Sequence, residues 1–161
     1  MKKVISLLIV VSGFLFVKDL SAQYRTGVGG YFGNWMGVTV KQYMNTNADQ
    51  SMEGLLINNN DLWRLTGIYA WNKSVRAPGM QVSGLNWHYG IGLHAGYYND
   101  KTALESFEYG IDAQIGLELL FGEMPFSIGL DLNPFYSIPA GGRKYTGSLI
   151  AGGIVLRYLI D

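Results

Sequence analysis

Residues 87–98 read WHYGIGLHAGYY, and their alternation decides the fold. The odd positions are Trp87, Tyr89, Ile91, Leu93, Ala95 and Tyr97, whereas the even ones are His88, Gly90, Gly92, His94, Gly96 and Tyr98. Successive side chains of a strand point to opposite faces, so this period of two gives one apolar face and one small or polar face. The next segment repeats the arrangement, with Tyr109, Ile111, Ala113, Ile115, Leu117, Leu119 and Phe121 alternating with Gly110, Asp112, Gln114, Gly116, Glu118 and Leu120. Both runs are longer than an average soluble strand and match the roughly 9–11 residues of a tilted membrane strand.

Working outward, Phe126 to Tyr136 sets Phe126, Ile128, Leu130 and Leu132 against Ser127, Gly129, Asp131 and Asn133. The last segment, Tyr145 to Ile160, alternates only in its second half, where Ile154, Leu156, Tyr158 and Ile160 oppose Arg157-type positions. Weaker strands are expected at Tyr24 to Phe32, Trp35 to Met44, Ser51 to Ile57 and Trp63 to Trp71, which makes eight. No stretch after residue 22 sustains helical spacing, and each of its glycines would cost a helix interior about 1 kcal/mol. The chain is therefore expected to be all-β, an eight-stranded antiparallel up-and-down transmembrane β-barrel.

The first 22 residues stand apart. Lys2 and Lys3 precede an apolar run from Val4 to Val17, and Ser21-Ala22 offers a small-residue exit, the layout of a cleaved signal peptide. An uncleaved helical anchor is the competing reading, but the run falls short of the roughly 20 apolar residues of a spanning helix and Lys18-Asp19 interrupts it. The barrel is assigned to residues 23–161, where a slight acidic excess gives no reason to expect nucleic acid as a partner. The absence of cysteine excludes a disulfide framework and a thiolate metal site. No cofactor is expected.

The 22 glycines and 14% aromatic content suit a barrel whose lumen positions are closely spaced and whose aromatics gather at membrane interfaces. A soluble barrel or sandwich would turn the apolar face inward and the polar face to water. Here the polar face carries many glycines and few charges, a poor coat for water but a suitable filling for a narrow lumen. Trp63, Trp71, Trp87, Tyr69, Tyr89, Tyr97, Tyr98, Tyr109 and Tyr158 lie near strand ends and are read as interfacial girdles. An even strand count puts both chain ends in the periplasm. The connections near Gly33-Asn34, Asn58 to Asp61, Asn99 to Glu108 and Ser137 to Lys144 then face outside. Those near Asn45 to Asp49, Asn72 to Gly84 and Gly122 to Pro125 face inside; the middle one, with Ala77-Pro78-Gly79, is long for a periplasmic turn.

Around Gly84-Leu85-Asn86-Trp87-His88-Tyr89-Gly90-Ile91-Gly92 the chain resembles a family of small outer-membrane β-barrel proteins common in Bacteroidetes. Gly37-Val38-Thr39-Val40-Lys41-Gln42-Tyr43, Leu65-Thr66-Gly67-Ile68-Tyr69, Tyr109-Gly110-Ile111-Asp112, Ile115-Gly116-Leu117-Glu118 and Leu156-Arg157-Tyr158 look like recurring pieces of that family. Asp161 departs from the aromatic last residue of many outer-membrane barrels. The resemblance implies fold and an outer-membrane location, and it implies no activity.

If the alternation holds, the lumen receives Lys41, Glu53, Arg64, His88, His94, Asp112, Gln114, Glu118, Asp131 and Arg157. An eight-stranded barrel has an interior that side chains nearly fill, so these residues are expected to form a polar network that plugs it. The expected function is accordingly structural or interactive, with outer-membrane lipid around the barrel and another envelope protein as the partner for its external loops, the first of them the loop bearing Glu105 and Glu108. A narrow porin-like conduit for water or small ions is one alternative, since ionisable groups within a membrane are functional candidates by default. A lipid A acyl-modifying enzyme is another, since a Ser-His-acid triad could be assembled with Ser106 or Ser137; no local signature supports one, and no catalytic residue is assigned. His88 and His94 lie six apart on one face, about 20 Å, too far to share a metal. The glycine runs at Gly27 to Gly30 and Gly90 to Gly92 fall within strands and lack the helix that a phosphate loop requires.

Overall fold

The computed structural model describes residues 26–45, 48–60, 62–75, 84–99, 107–121, 124–139 and 149–160. They form eight strands: β1 (Thr26–Gly33), β2 (Met36–Tyr43), β3 (Gln50–Asn59), β4 (Leu62–Ser74), β5 (Leu85–Tyr98), β6 (Phe107–Leu120), β7 (Phe126–Pro139) and β8 (Ile150–Ile160). Each pairs antiparallel with its sequence neighbour, and β1 pairs with β8 to close the barrel. Among the described residues there is no helix. The expected leader at residues 1–22, the strand starts at Tyr24 and Tyr145, and Ala77-Pro78-Gly79, Glu105, Ser106 and Asp161 lie outside the described residues.

The alternation that identifies β5 and β6 in sequence is the alternation of burial in space. Trp87, Tyr89, Ile91, Leu93 and Tyr97 are exposed on the outer wall, and His88 and His94 are buried within. The wall is uneven in height. Strands β1 and β2 have 8 residues each, but β5, β6 and β7 have 14, roughly 45 Å of extended chain. β7 pairs with β6 as far as Glu108↔Pro139, and among the described residues its pairing with β8 reaches Pro134↔Ile150.

Several sequence assignments change here. Glu108 is the second residue of β6 and is buried, not part of an external loop. Ser137 and Asn72 lie inside β7 and β4 and are buried, not in connections. Tyr98 points inward, where its hydroxyl donates to Glu108 Oε2 at 2.8 Å, and so takes no part in an outer girdle. At Glu108, Ser137 and Asn72 a polar residue beside an apolar run suggested a turn, but the side chain is buried inside the barrel. Trp35, expected to begin a strand, sits in the two-residue connection Asn34-Trp35, with its indole buried as a cap on the lumen. Asn34 extends the closing seam: its Nδ2 donates to Ile150 O at 2.7 Å, and its Oδ1 accepts from Gly152 N at 2.8 Å.

Candidate functional site

The interior holds an apolar cluster and two polar ones. The apolar cluster of Tyr31, Trp35, Leu55, Ile57, Leu62, Phe135, Ala151 and Val155 was not foreseen, because β1 and β3 carry apolar residues on their inner face as well as on the outer one. All ten residues assigned to the lumen from sequence are buried. The structure divides them between the two polar groups.

The first group centres on Arg157 of β8. Its Nη1 donates to Glu118 Oε1 of β6 at 3.0 Å, its Nη2 is paired with Glu53 Oε1 of β3, and Nη2 is 3.5 Å from Asp131 Oδ2 of β7. Lys41 Nζ of β2 donates to Glu118 Oε2 at 2.7 Å. Neutral donors complete the shells: Tyr43 OH and Ser127 Oγ donate to Glu118 at 2.7 and 2.9 Å, and Thr39 Oγ1 and Gln114 Nε2 donate to Glu53 at 2.5 and 3.0 Å. His88 Nε2 stands 3.0 Å from Asp131 Oδ1. Strands that are not neighbours in the wall are thus tied across the interior. Burying these charges costs several kcal/mol per ion, which only close pairing and full hydrogen bonding offset. Sequence reasoning missed Thr39, Tyr43 and Ser127, although parity with Lys41 and Asp131 marks them for the inner face.

The second group lies toward the Tyr98 end of β5. His94 Nδ1 is 2.5 Å from Asp112 Oδ2, and His94 Nε2 is 2.9 Å from Ser137 Oγ. Glu108 Oε1 is 3.9 Å from the same Nε2, and Arg64 Nη2 is 3.8 Å from Asp112 Oδ1. The Arg64 guanidinium packs on Phe135 and Trp35, 3.8 and 4.4 Å from their ring centroids. His94 meets Phe135 edge-on at 5.8 Å between centroids.

The same device builds both histidine contacts. In the ladder, His94 faces Gly110 and Gly110 faces Ser137; six residues along, His88 faces Gly116 and Gly116 faces Asp131. With no side chain on the middle strand, each imidazole lies across it and reaches a polar partner two strands away. A Cβ at Gly110 would come within 2.6 Å of His94 Cε1, and one at Gly116 within 2.6 Å of His88 Nε2 while also striking Asp131. Gly116→Ala should therefore part His88 from Asp131 and destabilise the barrel by about 1–3 kcal/mol, the usual cost of overpacking. The check is the denaturant midpoint of the detergent-folded variant against the parent; an unchanged midpoint would show that the imidazole can move aside freely.

Among the described residues no three His, Cys, Asp or Glu side chains are grouped to hold a metal ion. Comparison of the chain with protein-family models, with curated proteins and with solved structures finds no match.

Proposed function

We propose that this chain is a small integral barrel of a bacterial outer membrane, exported behind a leader at residues 1–22, with a structural or interaction role and a lumen plugged by charge pairs. One observation carries the reading: the polarity of the fold is inverted. Leu93, Ile91 and Ile111 are 69%, 64% and 60% exposed, while Lys41 and Arg157 are at most 1% exposed. Water would meet an apolar belt around the whole wall, far beyond the few hundred Å² that soluble monomers expose. Lipid tails suit that belt, and closure of the barrel leaves no unpaired edge in them.

Further support comes from the ends of the belt. Trp63, Tyr97, Phe107 and Tyr109 stand on the outer wall at one end, and Trp87, Tyr89, Phe126 and Tyr158 at the other, as interfacial girdles do. Lys73 lies beside Trp87 and Tyr89, 6.0 and 5.9 Å from their ring centroids, where a lysine can keep its ammonium in water and its stem on the apolar wall. The resemblance to small barrels of Bacteroidetes points the same way. Even strand parity assigns the end holding Thr26 and Ile160 to the periplasm and leaves the β5–β6 and β7–β8 connections to meet another envelope protein.

The test is gel migration of boiled and unboiled protein from isolated outer membranes. A heat-dependent shift in that fraction is expected, whereas a soluble periplasmic protein without the shift would overturn the reading. In planar bilayers the plug predicts no discrete conductance, and steady single-channel steps would overturn the plug.

A further inference from the structure

We infer that Ser137, His94 and Asp112 form a nucleophilic catalytic site at the Tyr98 end of the lumen, one that hydrolyses short-chain carboxylic esters. The inference rests on order, geometry and position together. Asp112 Oδ2 lies 2.5 Å from His94 Nδ1 and Ser137 Oγ 2.9 Å from Nε2, so the tautomer with its proton on Nδ1 donates to the carboxylate and turns the Nε2 lone pair to the Ser137 hydroxyl. This is the relay of acid, imidazole and hydroxyl that activates a serine, with the acid and the hydroxyl on opposite nitrogens of the ring.

A histidine serving only to fill the lumen could accept any donor in reach. Here three strands supply one member each, and Gly110 on β6 clears the path between His94 and Ser137. Ser137 also differs from the polar residues of the plug. It is 7% exposed, whereas Glu118, Ser127 and Lys41 are at most 2% exposed deeper in the interior.

In the reaction, Ser137 Oγ attacks the ester carbonyl carbon as His94 Nε2 takes the hydroxyl proton. Asp112 stabilises the imidazolium, and the Glu108 carboxylate, 3.9 Å from Nε2, adds negative potential on the other side of the ring. The carbon–oxygen bond to the alcohol then breaks, and His94 returns the proton to the leaving alkoxide. Water attacks the acyl-serine, His94 takes its proton, the bond to Oγ breaks, and the proton passes back to Ser137. The sum is ester plus water to acid plus alcohol. The Arg64 guanidinium lies 3.8 Å from the Phe135 ring centroid beside this site, and side chains nearly fill an eight-stranded interior, so the acyl pocket is taken to be short. Acetyl and butyryl esters are therefore the expected substrates, and palmitoyl esters are not.

The test uses the full barrel folded in detergent, with folding confirmed by its heat-dependent gel shift. A fluorophosphonate probe should add to wild type, with the adduct mapped by peptide mass to Ser137, and p-nitrophenyl butyrate should be hydrolysed faster than the palmitate ester. Ser137→Ala, a small change, should abolish both signals, and Asp112→Asn should slow hydrolysis roughly 10⁴-fold. The wild-type labelling experiment needs no variant to fold: no adduct at Ser137 in the folded barrel overturns the inference. Hydrolysis unchanged in Ser137→Ala overturns it as well.

Discussion

Arg157→Ala should destabilise the folded barrel by about 3–5 kcal/mol, the usual result of removing one partner of a buried ion pair. The substitution leaves Glu53, Glu118 and Asp131 together in the interior, with Lys41 Nζ bonded to Glu118 as the nearest remaining fixed cation of the group. Like charges at such spacing repel strongly where water cannot screen them. Arg157→Lys should recover only part of the loss, because a point charge cannot reach Glu53 and Glu118 through two separate nitrogens as the guanidinium does. Urea titration of the detergent-folded barrel, followed by tryptophan fluorescence, measures both. A loss below about 1 kcal/mol would place these carboxylates in a hydrated, screened interior, where exposed pairs are worth that little.

Leu93→Arg should cost about 2–4 kcal/mol when the barrel folds into lipid, the range for a basic residue on the lipid face at the bilayer midplane. Leu93 is 69% exposed and sits mid-strand, paired with Gly67 on one side and Ile111 on the other. Were the wall to face water, the same change would lie within about 0.5 kcal/mol of neutral, as exposed substitutions usually do. Folding equilibria in liposomes separate the two cases by a margin larger than their error. The experiment also bears on the plug, because only a lipid-facing wall obliges the polar residues to find their partners inside.

The architecture was legible where the two faces of a strand contrast most. In β5 and β6 large apolar side chains alternate with glycine, histidine and carboxylates, so parity alone separated wall from lumen. It worked less well in β3, where Leu55 and Ile57 turn inward and Leu56 outward, because the lumen is itself partly apolar and hydrophobicity no longer marks a side. The ends of strands were cut short for a related reason. Glu108, Asn72 and Ser137 lie beyond or at the edge of apolar runs, and a polar residue there satisfies the same pattern as a loop.

The ten charged and polar lumen residues were legible individually, but their grouping was not. Arg157 meets Glu53 across 104 positions, and His94 meets Ser137 across 43. Such contacts depend on how three or more strands stagger, which no single strand encodes. One signal was present in retrospect: histidine, glycine and polar partner recur at the same spacing of six on β5, β6 and β7, as His88, Gly116 and Asp131 and again as His94, Gly110 and Ser137. Reading it requires the register first.

The seam between β1 and β8 bears on how the chain reaches this state. Asn34 holds the backbone of Ile150 and Gly152 across more than a hundred intervening residues, and Thr26 pairs with Ile160 at the other end of the same seam. Hairpins between successive strands can zip locally, but this pairing must wait until the ends of an almost full-length loop come together, the most costly closure the chain makes. Folding dominated by such distant contacts is slow. Until it finishes, β1 and β8 are open edges able to recruit another chain, so the hazard to this protein lies in the interval before closure and falls as that interval is shortened.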